Sequence, residues 1–158
     1  MNNEFILRDY QMADLDAMFR LDEACFTEEF RFDRDSMRGF AEERDAIVRV
    51  AEKAYGEIAG FVIVHIERVA SEVRAYVVTL DVAPEYRQMG LASQLMREAE
   101  ARAAATGVGW IQLHVFTKNE GAVRFYERLG YQRTGTRRGF YGAPGLDAFV
   151  YGKGLPYL

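Results

Sequence analysis

The order of patterns along the chain predicts an α+β fold. It should be one domain spanning residues 1–158, with a mixed central sheet of about seven strands flanked by about four helices. Three observations carry this. Apolar and alternating segments interleave with segments of helical period. A strand runs through Pro84 and a glycine-containing turn straight into a long amphipathic helix. The chain then closes on two consecutive strand patterns. A length of 158 residues suits a single domain with its own core, and 49% hydrophobic with 28% charged residues argues against disorder.

Taken in order, the first strand is expected at Phe5 to Arg8. A helix follows from about Ala13 to Cys25, where Leu15, Met18, Phe19, Leu21 and Ala24 share a face at helical spacing, and a second from about Asp35 to Arg44. Ala46 to Ala51 and Ile58 to Glu67 read as strands separated by Tyr55-Gly56, a hairpin signal; Arg74 to Val82 is the next strand. The long helix covers about Gly90 to Thr106, with Leu91, Leu95, Met96, Ala99 and Ala103 inward and Gly107 just past its end. Trp110 to Phe116 alternates as a strand, Asn119 can N-cap the next helix, and Gly130 closes it. Gln132 to Arg137 and Ala148 to Lys153 are the last two strands, on either side of Gly142-Ala143-Pro144-Gly145. No internal repeat, low-complexity tract or linker interrupts this order.

Composition narrows the function. The N-terminus, Met-Asn-Asn-Glu-Phe, lacks a basic stretch followed by an apolar one, and no run approaches about 18 uncharged apolar residues, so a cytoplasmic protein with no membrane partner is expected. A net charge of −4 makes nucleic acid a poor partner. The charge is uneven: residues 1–50 hold 13 acids against 7 bases, the rest 11 against 13. A cationic acceptor would suit the acidic part, and a solvated acidic surface explains it equally well. Cys25 is the single cysteine, so no internal disulfide can form, and it reads as a small apolar residue on the first helix. His65 and His114 are the only histidines and have no ligand-like spacing, so no metal is expected.

Residues 80–92 read Leu-Asp-Val-Ala-Pro-Glu-Tyr-Arg-Gln-Met-Gly-Leu-Ala. A strand leading through a glycine turn into a helix N-terminus makes an anion site, because the first helical N–H groups lack intrahelical partners and the macrodipole is positive there. Gly90, without a Cβ, lets a ligand approach the backbone, and small Ala92 keeps the same face open. Neither of the two commonest phosphate loops, Gly-x-x-x-x-Gly-Lys-Ser/Thr and Gly-x-Gly-x-x-Gly after a strand, is present. About 30 residues after this loop, 119–131 read Asn-Glu-Gly-Ala-Val-Arg-Phe-Tyr-Glu-Arg-Leu-Gly-Tyr.

Together the two segments resemble the hallmarks of the GNAT superfamily of N-acetyltransferases. Arg87-Gln88-Met89-Gly90-Leu91-Ala92 is similar to its acyl-CoA motif, Gln/Arg-x-x-Gly-x-Gly/Ala. The second segment is similar to its Asn-headed helix with Phe-Tyr that ends in Leu-Gly-Tyr/Phe. Their order and separation fit, and the resemblance extends over nearly the whole chain, most clearly from Ile58 to Phe149. It implies the GNAT fold, acetyl-CoA as cosubstrate, and direct acetyl transfer to a primary amine.

The resemblance also assigns roles. The N–H groups of Gln88, Met89, Gly90, Leu91, Ala92 and Ser93 would bind the pyrophosphate. Leu80, Asp81 and Val82 would lie along the pantetheine, with an N–H near Val82 facing the thioester oxygen. Asn119 would touch pantetheine besides capping its helix, and Tyr126 would stand beside the CoA sulfur as general acid. On pattern alone, Phe125, Tyr126 and Leu129 also make an apolar helix face without chemistry.

Within the superfamily the overall likeness is to protein N-terminal acetyltransferases, including those acting on an alanine of a ribosomal protein. Glu23-Ala24-Cys25-Phe26, Arg137-Arg138-Gly139-Phe140-Tyr141 and Asp147-Ala148 carry it. In those ribosomal-protein relatives a Glu on the strand before the Asn helix serves as base, and the matching residue here is His114. An amine acceptor needs a base or a water chain, since an α-amine has a pKa near 8 and a lysine above 10. Imidazole can serve; a water relayed through a carbonyl, or a carboxylate such as Asp81 or Glu29, is the alternative. Phe26, Glu29, Phe30 and Tyr141 are the candidate acceptor residues, although Phe26, Phe30 and Phe32 could equally anchor their loop to the core. A small amine (polyamine, amino acid or aminoglycoside) is a second acceptor class. A non-catalytic acyl-CoA sensor, with Tyr126 and His114 structural, is the reading of another kind. A monomer and a homodimer both fit, since edge strands and the last strand pair could support a dimer.

Overall fold

In the computed structural model, which describes residues 5–156, a mixed seven-stranded sheet runs in the order β1-β2-β3-β4-β5-β7-β6. Its strands are β1 (Ile6–Asp9), β2 (Ile47–Glu52), β3 (Ile58–Val69), β4 (Glu72–Val82), β5 (Trp110–Phe116), β6 (Gln132–Arg137) and β7 (Ala148–Gly154). Four helices cover it: α1 (Leu15–Cys25), α2 (Arg34–Ala41), α3 (Leu91–Ala105) and α4 (Glu120–Arg128). Among the described residues, no helix is long and apolar enough to cross a membrane.

The period-2 alternation of the central strands divides the core into two layers. Val62, Val64 and Val77 pack with Leu91, Leu95, Met96 and Ala99 of α3 and with Tyr126 of α4. Phe61, Ile63 and Val50 face the other way, onto Leu15, Met18 and Leu21 of α1 and Met37 of α2. Burying a large apolar side chain of this kind stabilises by about 1.5–3 kcal/mol, so the sheet is fixed from both faces. On α1 the buried face differs from the expected one: Ala24 is exposed and Asp22 is fully buried in its place. Helix α2 starts one residue earlier than its pattern, where Asp33 caps it by accepting from the Ser36 N–H at 2.7 Å, and ends at Ala41, short of the expected Arg44.

The β2–β3 turn places Tyr55 and Gly56 at φ 66° and 79°, two consecutive left-handed residues whose twist matches a tight hairpin. Strands β3 and β4 run beyond their apolar segments, to a tip at Ala70 and Ser71. Strand β7 lies between β5 and β6, antiparallel to both, where Gly152 admits the Trp110 ring; a Cβ at 152 would overlap that ring.

The feature that makes a site is the junction of β4 with β5, the one parallel pair in the sheet. It is stitched only at Ala75–Ile111 and Tyr76–Gln112. Beyond these residues the strands diverge, helped by a bulge that leaves Val78 as the extra residue between Val77 and Thr79.

Candidate active site

The divergence opens a cleft of about 880 Å³. One wall is backbone. Ala83 donates its N–H to Ala59 O at 2.8 Å, so by the alternation of an antiparallel ladder the peptide groups of Leu80 and Val82 turn away from β3 and towards the cleft. The Val82 carbonyl is already occupied, by Arg87 Nε at 3.1 Å and the Cys25 Sγ–H at 3.3 Å. Burial pushes the Cys25 thiol up to about 11, so it stays a thiol and a donor.

At the end of this wall the chain turns into α3 through Gln88 (φ 65°) and Gly90 (φ 82°). Gly90 is the N-cap residue, and the first intrahelical bond is Gln94 N–H to Gly90 O. The N–H groups of Leu91, Ala92 and Ser93 therefore have no partner within the helix and are free for an anion. Apart from its own neighbours in the chain, no protein atom lies within 4 Å of the place where a Gly90 Cβ would be, so the space is open for a ligand to approach. Gln88, Ala92 and Ser93 line the cleft, as do Leu80 and Val82. The Leu91 side chain is core, and that of Met89 is half exposed outside the lining. A diphosphate and its amide-bearing arm fit this wall.

Opposite, Asn119 caps α4 by accepting the Ala122 N–H at 3.1 Å, and it borders the same cleft. About two helical turns further, Tyr126 is 8% exposed and packs against Phe125 and Tyr131 with ring centroids 5.0 and 5.6 Å away. Burial, with the nearby Asp81 and Tyr141, raises its phenol well above the ordinary tyrosine range, so it holds its proton. Tyr126 is at once part of the core and part of the cleft wall.

His114 stands on β5 at the other end. Its Nδ1 lies 2.7 Å from the Tyr76 hydroxyl, its ring stacks on Phe140 at 4.1 Å and 9°, and Nε2 is buried with no partner among the described residues. Burial lowers its pKa to about 4, and Arg137 and Arg74 push the same way, so the imidazole is neutral at physiological pH. Around it an aromatic wall assembles from distant segments. Phe30 meets Phe116 and Tyr141 at 4.9 and 4.8 Å, and Phe26 and Phe32 complete the side formed by the α1–α2 connection. Glu29 is exposed and lies outside the cleft lining, while the Asp81 carboxyl is turned away from the cleft.

Sequence reasoning overlooked Tyr76, Phe116 and Phe140. Tyr76 could have been found as the one aromatic residue of the strand that leads to the anion loop. Phe140 and its stacking depend on a loop conformation that no spacing rule specifies. Among the described residues, no group of three or more His, Cys, Asp or Glu could hold a metal ion.

The diverging strands, the glycine N-cap and the phenol on α4 together line one cleft on a mixed sheet. The chain belongs to the acetyltransferase (GNAT) family, which it matches over residues 15–131. It is 32% identical over 111 residues to the catalytic subunit NAA10 of the N-terminal acetyltransferase A complex of Arabidopsis thaliana, covering 69% of this chain and 57% of that protein. It is 33% identical over 100 residues to the streptothricin acetyltransferase of Streptomyces lavendulae, covering 63% and 52%. The chain thus spans little more than half the length of these curated relatives. Its fold superimposes on the crystal structure of the ribosomal-protein-S18-alanine N-acetyltransferase from Escherichia coli with a TM-score of 0.83, at 21% identity, covering 98% of this chain and 96% of that one. The fold is the GNAT fold.

Proposed function

We propose that the protein is an acetyl-CoA-dependent N-acetyltransferase that transfers acetyl directly to the α-amine of a protein or peptide N-terminus. The observation that carries the choice of acceptor is the low basicity of His114. An imidazole whose conjugate acid has a pKa of about 4 is a poor base towards a resting ammonium ion. It suits an amine that arrives neutral and turns acidic only as it attacks. At neutral pH about a tenth of an α-amine is neutral, against fewer than about one in a thousand lysine-type amines. The site therefore favours N-termini over polyamines.

Acetyl-CoA, when bound, supplies the thioester. The Leu80 and Val82 peptide groups, which the β3–β4 register turns away from β3, would align its arm, and the Val82 N–H would stabilise charge developing on the carbonyl oxygen. His114, held in orientation by Tyr76, accepts the proton that the attacking nitrogen loses. Tyr126 returns a proton to the departing sulfur; its high pKa keeps that proton available, and a thiolate with a reference pKa near 8.5 can be protonated. Phe26, Phe30 and Tyr141 would receive the acceptor's first residues. The likeness to an N-terminal acetyltransferase subunit supports the same reading.

A second reading, a small-amine acetyltransferase, draws on the likeness to streptothricin acetyltransferase. Free-thiol release from acetyl-CoA with short peptides of varied N-termini, beside spermidine, amino acids and an aminoglycoside, separates them. Turnover with peptides alone supports the proposal, and turnover with small amines alone overturns it.

A further inference from the structure

Asp22 sits four residues after Met18 and three before Cys25 on α1, in line with the helix's apolar face, and is fully buried. Asp81 opposes it from β4, 1% exposed. Each carboxyl has one oxygen engaged: Asp22 Oδ2 accepts the Phe32 N–H at 3.0 Å, and Asp81 Oδ1 accepts the Thr79 hydroxyl at 2.5 Å. The other oxygens, Asp22 Oδ1 and Asp81 Oδ2, are buried with no hydrogen-bond partner among the described residues, and the two carboxyls lie close enough for each to act on the other's ionisation. Two carboxylates in such contact would repel, whereas one proton between the orphaned oxygens satisfies both.

The surroundings agree with a shared proton. Facing the two carboxyls are Arg87 from the loop after β4, Cys25 on α1, Thr79 on β4 and Tyr126 on α4. Arg87 and the Thr79 hydroxyl favour ionisation, but burial and the neighbouring Asp22 outweigh them and hold Asp81 well above the ordinary carboxylate range.

We propose that Asp22 and Asp81 share one proton and form a positioning clamp for the acceptor, tying the 26–32 segment through the Phe32 N–H to the strand that carries the cofactor arm. This rests on the acceptor lying against Phe26 and Phe30, as proposed above. Neither residue is catalytic. Asp81 directly precedes Val82, so the clamp fixes the acceptor wall relative to the peptide group that faces the reacting carbonyl. A raised pKa means that the clamp is intact at low pH and is lost as pH rises through the shared proton's pKa. The acceptor wall then loosens, while the backbone wall that holds acetyl-CoA keeps its form.

The test uses hydrogen exchange of residues 26–33, corrected for the intrinsic pH dependence, together with thiol-release kinetics. The acceptors are short peptides beginning with alanine or methionine, and spermidine. Asp22→Asn keeps both hydrogen bonds, since its amide donates to the Asp81 carboxylate and its oxygen accepts the Phe32 N–H, but it has no proton to lose. Across the pH range in which the protein stays folded, exchange of the segment should rise with pH in the wild type and stay flat in Asp22→Asn, and the ratio of their acceptor KM values should climb about tenfold. Asp22→Leu should hold acceptor KM about tenfold above that of Asp22→Asn at every pH, with acetyl-CoA KM changed less than about twofold.

Asp22→Asn tracking the wild type in both readouts overturns the clamp, as does a parallel rise of both KM values in Asp22→Leu. If exchange behaves as expected but only spermidine is turned over, the clamp stands and the N-terminal reading falls.

Discussion

The two walls of the cleft are made in different ways. The cofactor wall is one contiguous stretch, from Leu80 to Ser93, and what it offers a ligand is peptide groups: those that β4 turns away from β3 and those that α3 leaves unpaired. The wall proposed for the acceptor is built from side chains of four separate elements, namely the α1–α2 connection, β4 with Tyr76, β5 with His114 and Phe116, and the β6–β7 loop. A backbone wall tolerates many side chains and always presents the same chemistry. A side-chain wall can be altered one residue at a time, which is how one fold can keep a cofactor and change its acceptor.

If this contrast is right, chemistry at the boundary between the walls should be the most fragile. Tyr126→Phe should lower kcat about 10²- to 10³-fold, with the Kd for acetyl-CoA, read by calorimetry, within about twofold of the wild type. Unaltered turnover would remove Tyr126 as the acid.

On the backbone wall, Gly90→Val forces a β-branched residue to φ 82° and puts a side chain where a ligand would approach. Acetyl-CoA KM should rise about 10- to 100-fold from strain of about 1–3 kcal/mol plus obstruction. Met89→Ala, one residue away, should change it less than about twofold because that side chain lies outside the cleft lining. Equal effects at the two positions would break the comparison.

On the side-chain wall, Phe30→Ala removes the ring that touches both Phe116 and Tyr141. It should raise acceptor KM by about tenfold and leave acetyl-CoA KM alone.

The smallest effect concerns pH. The neutral form of His114 is the one that can accept a proton, and burial with Arg137 and Arg74 keeps it neutral down to about pH 4. At saturating acceptor, kcat should therefore show no acid limb near the ordinary histidine value of about 6.5. Arg137→Gln should shift the limb upward. A wild-type limb near that ordinary value would place His114 in a wetter, more basic setting.

The same contrast explains what was legible. Gly90, Asn119 and Tyr126 sit in local patterns, each tied to a cap, a turn or a helix face, and the order of elements follows from apolar periodicity. The insertion of β7 between β5 and β6 was not legible, because strand neighbours across a sheet are set by tertiary packing. Tyr76 and Phe140 gain meaning only by converging on His114 from 38 residues before and 26 after. Asp22 had a visible clue, a carboxylate at helical spacing between Met18 and Cys25, but its partner 59 positions away could be supplied only by the fold.

The two residue pairs that join β4 to β5 have one more consequence. They are the narrow waist of the whole sheet, with four strands on one side and three on the other. A ligand whose amides bridge the gap behaves as an extra strand and mends the sheet, so occupancy and cohesion become the same quantity. Saturation at about a hundred times Kd would add about 2.7 kcal/mol to stability, and the bridging amides would add it at the waist.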